Sequence, residues 1–338
     1  MKAVYLTQPG TVEIKEVPAP KPAAGEILVR IKAALTCGTD LKAFLRGHTL
    51  IPMPGLFGHE FSGVIEETGK GVKGFKPGDE VMSVHTAPCH VCRYCAKKLY
   101  NLCENIMNTK ILGAFAEHIV IPRHILKQNV YVKPPHLSFE EAAFLEPLSC
   151  VVHGMSGLNI KRGDSVLILG SGPIGLLHML LAKLKGAKVT ITGLEHERLR
   201  LAKTLGADEI PPPSMLVENI ESITGGLGFD YVFECTGQLE VWENAVNYVR
   251  RGGTVILFGG CKQGTIVTYD TYRIHYDEIT LKGIFHFTPA DVREAYKLLS
   301  NGAINVDHLV SRRYLLEDIR QPFERLSRGE GIKYALIP

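Results

Sequence analysis

The chain lacks the features that mark several classes of protein. No apolar stretch approaches the ~20 residues needed to cross a bilayer as a helix, so no membrane partner is expected. No long basic run stands among its 38 Lys and Arg residues and the net charge is only +3, which argues against nucleic acid as a partner. Internal repeats and low-complexity segments are missing apart from Pro211-Pro212-Pro213, which reads as a rigid loop. The opening Met1-Lys2-Ala3-Val4-Tyr5 runs straight into a strand-like segment with no secretory leader, and the expectation is a soluble, cytoplasmic protein.

At 338 residues the chain is long enough for two domains, each burying its own core. Its 34 glycines favour an architecture rich in tight turns. Eight cysteines are present, four of them in one short loop, and clustered thiols in a reducing compartment point to metal rather than disulfides.

Residues 1–150 read as strand-rich. The β-branched runs Glu26–Ala34, Phe61–Thr68 and Glu80–Thr86 are separated by turns such as Lys76-Pro77-Gly78-Asp79, as in a small barrel with inserted loops. Ser138-Phe139-Glu140-Glu141 offers a capping box that opens a hinge helix running through Gly157. Beyond it, short apolar strands at Ser165–Leu169, Lys188–Thr192, Tyr231–Glu234 and Thr254–Phe258 alternate with helices at Pro173–Lys185, His196–Leu205 and Leu239–Val249. That alternation predicts an α/β fold, a doubly wound parallel sheet over 151–287. Residues 288–338, with a helix at Pro289–Ser300 and a strand at Lys333–Ile337, return to complete the first domain.

Cys89, Cys92, Cys95 and Cys103 follow the spacing C-x2-C-x2-C-x7-C, which turns successive thiolates toward one tetrahedral ion. Four sulfur ligands leave no open position, so this site holds a loop. An iron–sulfur cluster is the competing metal, but the bacterial ferredoxin run closes with a shorter gap and a proline, whereas Glu104 follows here. A second, open site is expected from Cys37 in Cys37-Gly38-Thr39-Asp40, His59 and Glu60 in Gly58-His59-Glu60, and Glu146 in Leu145-Glu146-Pro147-Leu148. Glu146 carries weight because an acid in an apolar segment is costly to bury without a cation or a proton.

Gly170-Ser171-Gly172-Pro173-Ile174-Gly175 matches G-x-G-x-x-G after a strand and before a helix, the pattern that seats a pyrophosphate on a helix N-terminus. The ribose-binding acid is expected about 20 residues on, and Gly193 stands there instead. A missing acid admits the 2′-phosphate of NADP, yet no Arg follows at once and Glu195 can reach back to a diol. Arg198 can serve either cofactor, and the balance leans to NAD. Further contacts to the dinucleotide are expected from Leu257-Phe258-Gly259 and Ile284-Phe285-His286.

Together with Gly78-Asp79-Glu80-Val81, Glu146-Pro147-Leu148, Arg198-Leu199 and Leu205-Gly206-Ala207-Asp208, these motifs resemble, over nearly the whole chain, the zinc-dependent medium-chain dehydrogenase/reductase family in its polyol and threonine dehydrogenase branch. The resemblance implies a GroES-like catalytic domain, a Rossmann domain and a homo-oligomer, a tetramer or a dimer. It implies Cys37, His59 and Glu60 as ligands of a catalytic zinc, with Glu146 beside the open position, able to relay a proton or to bind directly. Thr39 would hydrogen-bond the substrate alcohol and Asp40 would orient His59. Glu146 stands where simple alcohol dehydrogenases carry a ligand cysteine, which disfavours that branch.

Two departures narrow the substrate. Threonine dehydrogenases carry a His where this chain has Lys42, and sorbitol dehydrogenases carry an Arg-Tyr pair where His286-Phe287 follows Phe285. The expected enzyme therefore moves a hydride from a secondary alcohol of a polyol, cyclitol or sugar-like substrate to NAD(P), with one catalytic and one structural zinc. L-Threonine 3-dehydrogenase is the alternative within enzymes, and a non-catalytic dinucleotide-binding protein is the alternative outside them.

Overall fold

A computed structural model describes all 338 residues, and they form two compact units, Met1–Cys150 with Phe287–Pro338, and Val151–His286. In chain order the strands are β1 (Lys2–Gln8), β2 (Thr11–Glu16), β3 (Ile27–Leu35), β4 (Gly55–Leu56), β5 (Glu60–Thr68), β6 (Glu80–Ser83), β7 (His118–Ile121), β8 (Val130–Val132), β9 (Ser165–Leu169), β10 (Lys188–Thr192), β11 (Phe229–Glu234), β12 (Val249–Leu257), β13 (Thr280–Gly283), β14 (Val310–Leu315) and β15 (Lys333–Ile337). No helix is long and apolar enough to cross a membrane.

The first unit is built on β3. Its apolar, β-branched run Ile27-Leu28-Val29, interrupted only by Arg30 and Lys32, is buried almost end to end. It pairs antiparallel with β5, β7 and β15, within a seven-stranded sheet ordered β14-β15-β3-β5-β6-β8 with β7 also on β3. A three-stranded sheet, β2-β1-β4, stands beside it. Phe44, Phe57, Phe115 and Phe323 pack with ring centroids 4.9 to 5.9 Å apart, so the tail supplies an aromatic wedge to the N-terminal core.

In the second unit the sheet is wholly parallel, in the order β10-β9-β11-β12-β13. The chain leaves β9 for β10 on one side and later returns to β11 on the other, so the strand order reverses beside the C-terminal end of β9. Val166-Leu167-Ile168-Leu169 is buried on both faces, which is why it reads as an unbroken apolar run.

Two expectations are corrected. The hinge helix is not continuous from Ser138: the capping box forms, Ser138 Oγ accepting from Glu141 N–H at 3.1 Å, but the first helix ends at Ala143 and a second runs Leu145–Met155. Pro147 has no N–H to give the carbonyl of Ala143, so the first turn cannot continue through it. No helix is expected after Cys37, whereas Thr39 and Asp40 lie in one, Gly38–Arg46, that Cys37 caps. Its apolar positions Leu41, Ala43, Phe44 and Leu45 are too few and too bunched to announce a helix by period.

The third fingerprint glycine has a steric reason. A Cβ on Gly175 would lie 1.9 Å from the Gly170 carbonyl oxygen, so this backbone approach closes the helix onto the strand. Gly175→Ala is expected to cost about 1–3 kcal/mol of stability by overpacking, read as a lowered urea midpoint with an unchanged m-value.

Candidate active site

Strand register brings the donors together. Leu35 ends β3 opposite Glu60 on one edge and opposite Ala335 of β15 on the other. Because β15 runs antiparallel, Lys333 comes level with Cys37, two residues past Leu35. The thiol of Cys37, the imidazole of His59 and the carboxylate of Glu60 consequently present donor atoms within 4.8 Å of one another.

Each donor is held from behind. Cys37 is the N-cap of the Gly38–Arg46 helix, its Sγ accepting from the Thr39 amide at 3.5 Å. Asp40, in the first turn of that helix and fully buried, places Oδ1 3.3 Å from His59 Nδ1, leaving Nε2 for a ligand. Burial would lower the basicity of His59, but Asp40 and the Cys37 thiol outweigh it and hold the imidazole well above its ordinary value. Lys333 Nζ donates to the Thr36 carbonyl at 2.8 Å and to Glu60 Oε2. Tyr334 N–H donates to Thr36 Oγ1 at 3.0 Å, and Thr36 N–H to the Tyr334 carbonyl at 3.0 Å. The tail strand thus clamps the residue before Cys37.

Glu60 shows that a cation fits. Its Oε1 is buried with no hydrogen-bond partner while Oε2 is held by Lys333. Burial pushes the carboxyl up to about 7 despite the neighbouring Lys333 ammonium, a carboxylate short of positive charge. Sulfur, imidazole nitrogen and carboxylate oxygen together suit zinc, with a fourth position left open.

Glu146 lies in the first turn of the Leu145–Met155 helix, buried, with Oε1 3.3 Å from His85 Nδ1 and 3.9 Å from Cys150 Sγ. His85, whose ring stands 4.8 Å from that of His59, is a site residue that sequence reasoning missed. Burial lowers its basicity. Its only signal was a buried-type position in the expected strand four residues before Cys89. Lys333 was also missed, and no local pattern marks it.

Cys89, Cys92, Cys95 and Cys103 form a second group with donor atoms within 4.8 Å, and all eight cysteines are free of disulfides. Cys92 and Cys103 sulfurs are 3.9 Å apart, close to the edge of about 3.8 Å of a tetrahedron with zinc–sulfur bonds of about 2.3 Å. The Val91 amide, working against burial, brings the Cys89 thiol down to about 6, while burial pushes Cys95 up to about 12. Four thiolates cannot share this space without a cation to neutralise them.

At the dinucleotide fingerprint, Gly170 adopts φ +112° and packs on Thr236, while Gly172 caps the Pro173–Leu184 helix with open space where a Cβ would stand. Ile174 occupies the first turn. The glycine at 193 is explained by Ser171: a Cβ there would meet Ser171 Oγ at 2.1 Å. Ser171 Oγ is itself buried without a partner. Glu195 begins the His196–Thr204 helix and lies 3.6 Å from Arg198. Leu257 ends β12 and Phe258 and Gly259 follow it; Gly259 packs against Gly237 N and the buried Glu234 carboxylate, a group the sequence reading did not single out. Ile284 N–H donates to the Leu257 carbonyl at 3.2 Å, Phe285 is exposed, and His286 takes a left-handed φ of 61°.

Known proteins give the same picture. Residues 23–131 match the alcohol dehydrogenase GroES-like domain family and residues 173–301 the zinc-binding dehydrogenase family. Sorbitol dehydrogenase of Halalkalibacterium halodurans is 33% identical, covering 100% of this chain and 99% of the relative. D-arabitol-phosphate dehydrogenase of Enterococcus avium is 35% identical, covering 98% and 96%. A zinc-binding dehydrogenase of Sinorhizobium meliloti, solved with NADP, superposes with a TM-score of 0.90 at 32% identity, over 100% of this chain and 99% of the other.

Lys333→Met leaves a buried carboxylate uncompensated and is expected to destabilise the metal-free protein by about 3–5 kcal/mol in urea unfolding. Adding Glu60→Gln should restore most of that loss, and a double-mutant cycle reads the coupling.

Proposed function

We infer that this chain, which belongs to the zinc-dependent medium-chain dehydrogenase family, takes a hydride from a secondary alcohol on a polyol, cyclitol or sugar-like substrate and passes it to NAD or NADP, giving the ketone. The observation that carries this reading is the convergence of Cys37, His59 and Glu60 within 4.8 Å at one sheet end. The relatives are named for a neutral sugar alcohol and for a sugar-alcohol phosphate, which supports the polyol class and leaves the end group of the substrate open. L-Threonine is not favoured, and a merely structural role does not fit a chain that keeps a complete donor set.

Cys37, His59 and Glu60 would hold the catalytic zinc, and Cys89, Cys92, Cys95 and Cys103 a structural one. When bound, the catalytic ion supplies electrophilic stabilisation of alkoxide charge on the order of 12 kcal/mol, and the nicotinamide supplies the hydride acceptor. A hydrogen bond from Thr39 is worth only about 1.5–3 kcal/mol, so Thr39 orients the hydroxyl and passes on its proton rather than bearing the charge. Asp40 fixes the His59 ring, and Lys333 holds one oxygen of Glu60 so that the other faces the donors. Glu146, braced by His85, offers a carboxylate on which the proton can be held. Gly170, Gly172 and the helix N-terminus at Pro173 would take the pyrophosphate. Glu195 can accept from a ribose diol, which supports NAD, while the lack of an acid at 193 leaves no carboxylate there to repel the 2′-phosphate of NADP. Eight free cysteines support a reducing, cytoplasmic setting, and the family resemblance supports a homo-oligomer.

NAD(P)H production is to be followed over sorbitol, arabitol, inositol and L-threonine with both cofactors. Turnover of sugar alcohols and none of L-threonine is expected; oxidation of L-threonine alone would overturn the assignment. Cys37→Ser should abolish turnover yet keep the circular dichroism spectrum and one of two zinc ions by elemental analysis. Cys103→Ser should lose the other ion and lower the thermal midpoint.

A further inference from the structure

The parallel sheet carries a buried acid outside the chemistry proposed above. Glu234 ends β11 with no exposure to water. Its Oε1 accepts from the Thr236 amide at 2.7 Å, from the Gly237 amide at 2.9 Å and from the Thr236 hydroxyl. Thr236 Oγ1 in turn accepts from the Gln238 amide at 3.0 Å, and Gln238 is the N-cap of the Leu239–Tyr248 helix. Oε2 is buried with no hydrogen-bond partner beside Gly259, where a Cβ would stand 2.6 Å from it. One side chain therefore governs how the chain leaves β11.

That exit borders the glycine fingerprint. A Cβ on Gly170 would meet Thr236 Cγ2 at 2.9 Å, and the Cys235 amide donates to the Leu169 carbonyl at 2.9 Å. From the other side, the Phe258 and Gly259 amides donate to the Glu234 carbonyl at 3.0 and 2.9 Å, and Trp242 Nε1 donates to the Gly259 carbonyl at 2.8 Å. The ends of β9, β11 and β12 are thus tied together where an open parallel sheet receives its ligand. Turns of this length are ordinarily held by Asn, Asp or Ser in contact with water. Burial raises the Glu234 carboxyl above its ordinary range although the Thr236 and Gly237 donors pull the other way, so the acid is costly where it stands. With both turn amides engaged on Oε1, none is left for a phosphate. Thr236 and Gly237 therefore shape the fingerprint turn rather than bind an anion.

We propose that Glu234 is a positioning residue for the dinucleotide: by holding Thr236 and Gly237 it fixes the surface against which Gly170 packs, and so sets cofactor affinity without touching the cofactor. A carboxylate is suited to this because three donors converge on one of its oxygens, and charge-assisted bonds of that kind are roughly twice as strong as neutral ones. Without it, two amides and a hydroxyl lose their acceptor in a dry site, and the turn has no reason to stay against Gly170. The inference rests on the dinucleotide-binding part of the dehydrogenase reading and adds a residue to that same site.

Calorimetric binding of NADH and NADPH is to be compared across variants, beside steady-state kinetics of the zinc-loaded enzyme on the sugar alcohol that the wild type turns over fastest. Glu234→Ala should raise Kd for the preferred dinucleotide roughly 10- to 100-fold, with its KM rising in step. At saturating cofactor, kcat and the sugar-alcohol KM should stay within about twofold of the wild type. Glu234→Gln keeps a carbonyl oxygen for the three donors and should recover part of the affinity; Glu234→Asp, one methylene short, should not. Thr236→Val keeps the shape against Gly170, loses only the hydroxyl, and should weaken binding severalfold with an unchanged circular dichroism spectrum. Wild-type dinucleotide affinity in Glu234→Ala would overturn the assignment, as would a loss shared equally by dinucleotide affinity, kcat and sugar-alcohol KM, the mark of general loosening. If Glu234→Ala does not fold, Thr236→Val and Glu234→Asp carry the test, and wild-type affinity in both would overturn it. Dinucleotide binding that depends on Glu234, with no sugar alcohol oxidised, would retire the dehydrogenase reading and leave the positioning role standing.

Discussion

The buried ion pair between Lys333 and Glu60 is the constraint on which the rest of the first unit depends. It joins residues 273 positions apart, and both are almost wholly excluded from water. A lone charge of either sign there would be prohibitively desolvated, so the tail strand cannot leave without stranding Glu60. Because the same ammonium also binds the Thr36 carbonyl, the pair sets the position of Cys37 as well. One lysine therefore couples closure of the sheet to the spacing of the metal donors.

The cysteine lobe and the Cys37 group, both able to hold a metal ion, differ in ways that follow from their surroundings. The cysteine lobe is local in sequence and gathers four sulfurs within 4.8 Å of one another, those of Cys92 and Cys103 3.9 Å apart. Its geometry is that of a staple. The Cys37 group is assembled from two strand ends and a helix cap, has three donors of different hardness, and is ringed by Asp40, His85, Glu146 and Lys333. Such a ring orients the ligands and provides places for a proton, which a staple does not need. The Gly38–Arg46 helix organises much of this, since it carries the cap thiol, Thr39 and Asp40.

Much of this was legible from residue order. The strands Ser165–Leu169, Lys188–Thr192 and Lys333–Ile337 and the helix Pro289–Ser300 have the predicted bounds, because apolar runs bounded by Gly, Pro and capping residues are decided locally. The glycine fingerprint was readable for the same reason: its meaning lies within six residues and one strand–turn–helix. The break at Phe144 was missed although its cause, Pro147, is in plain view. The helix after Cys37 was missed because its apolar positions do not repeat with a clear period.

What the sequence determined by itself was the type of chemistry: thiols at metal spacing, a Cys, a His and acids beside glycines, and a pyrophosphate turn. Each is a short-range pattern whose spacing already carries geometry. What only the tertiary structure decided was which groups meet. Register across β3, β5 and β15 brought Lys333 to Glu60, and the packing of the Leu145–Met155 helix set Glu146 on His85 rather than among the Cys37 donors. The turn between β9 and the Pro173–Leu184 helix seats Ser171 where a side chain at 193 would have to stand. Burial and long-range pairing are properties of three-dimensional neighbours, and no local run of residues encodes them.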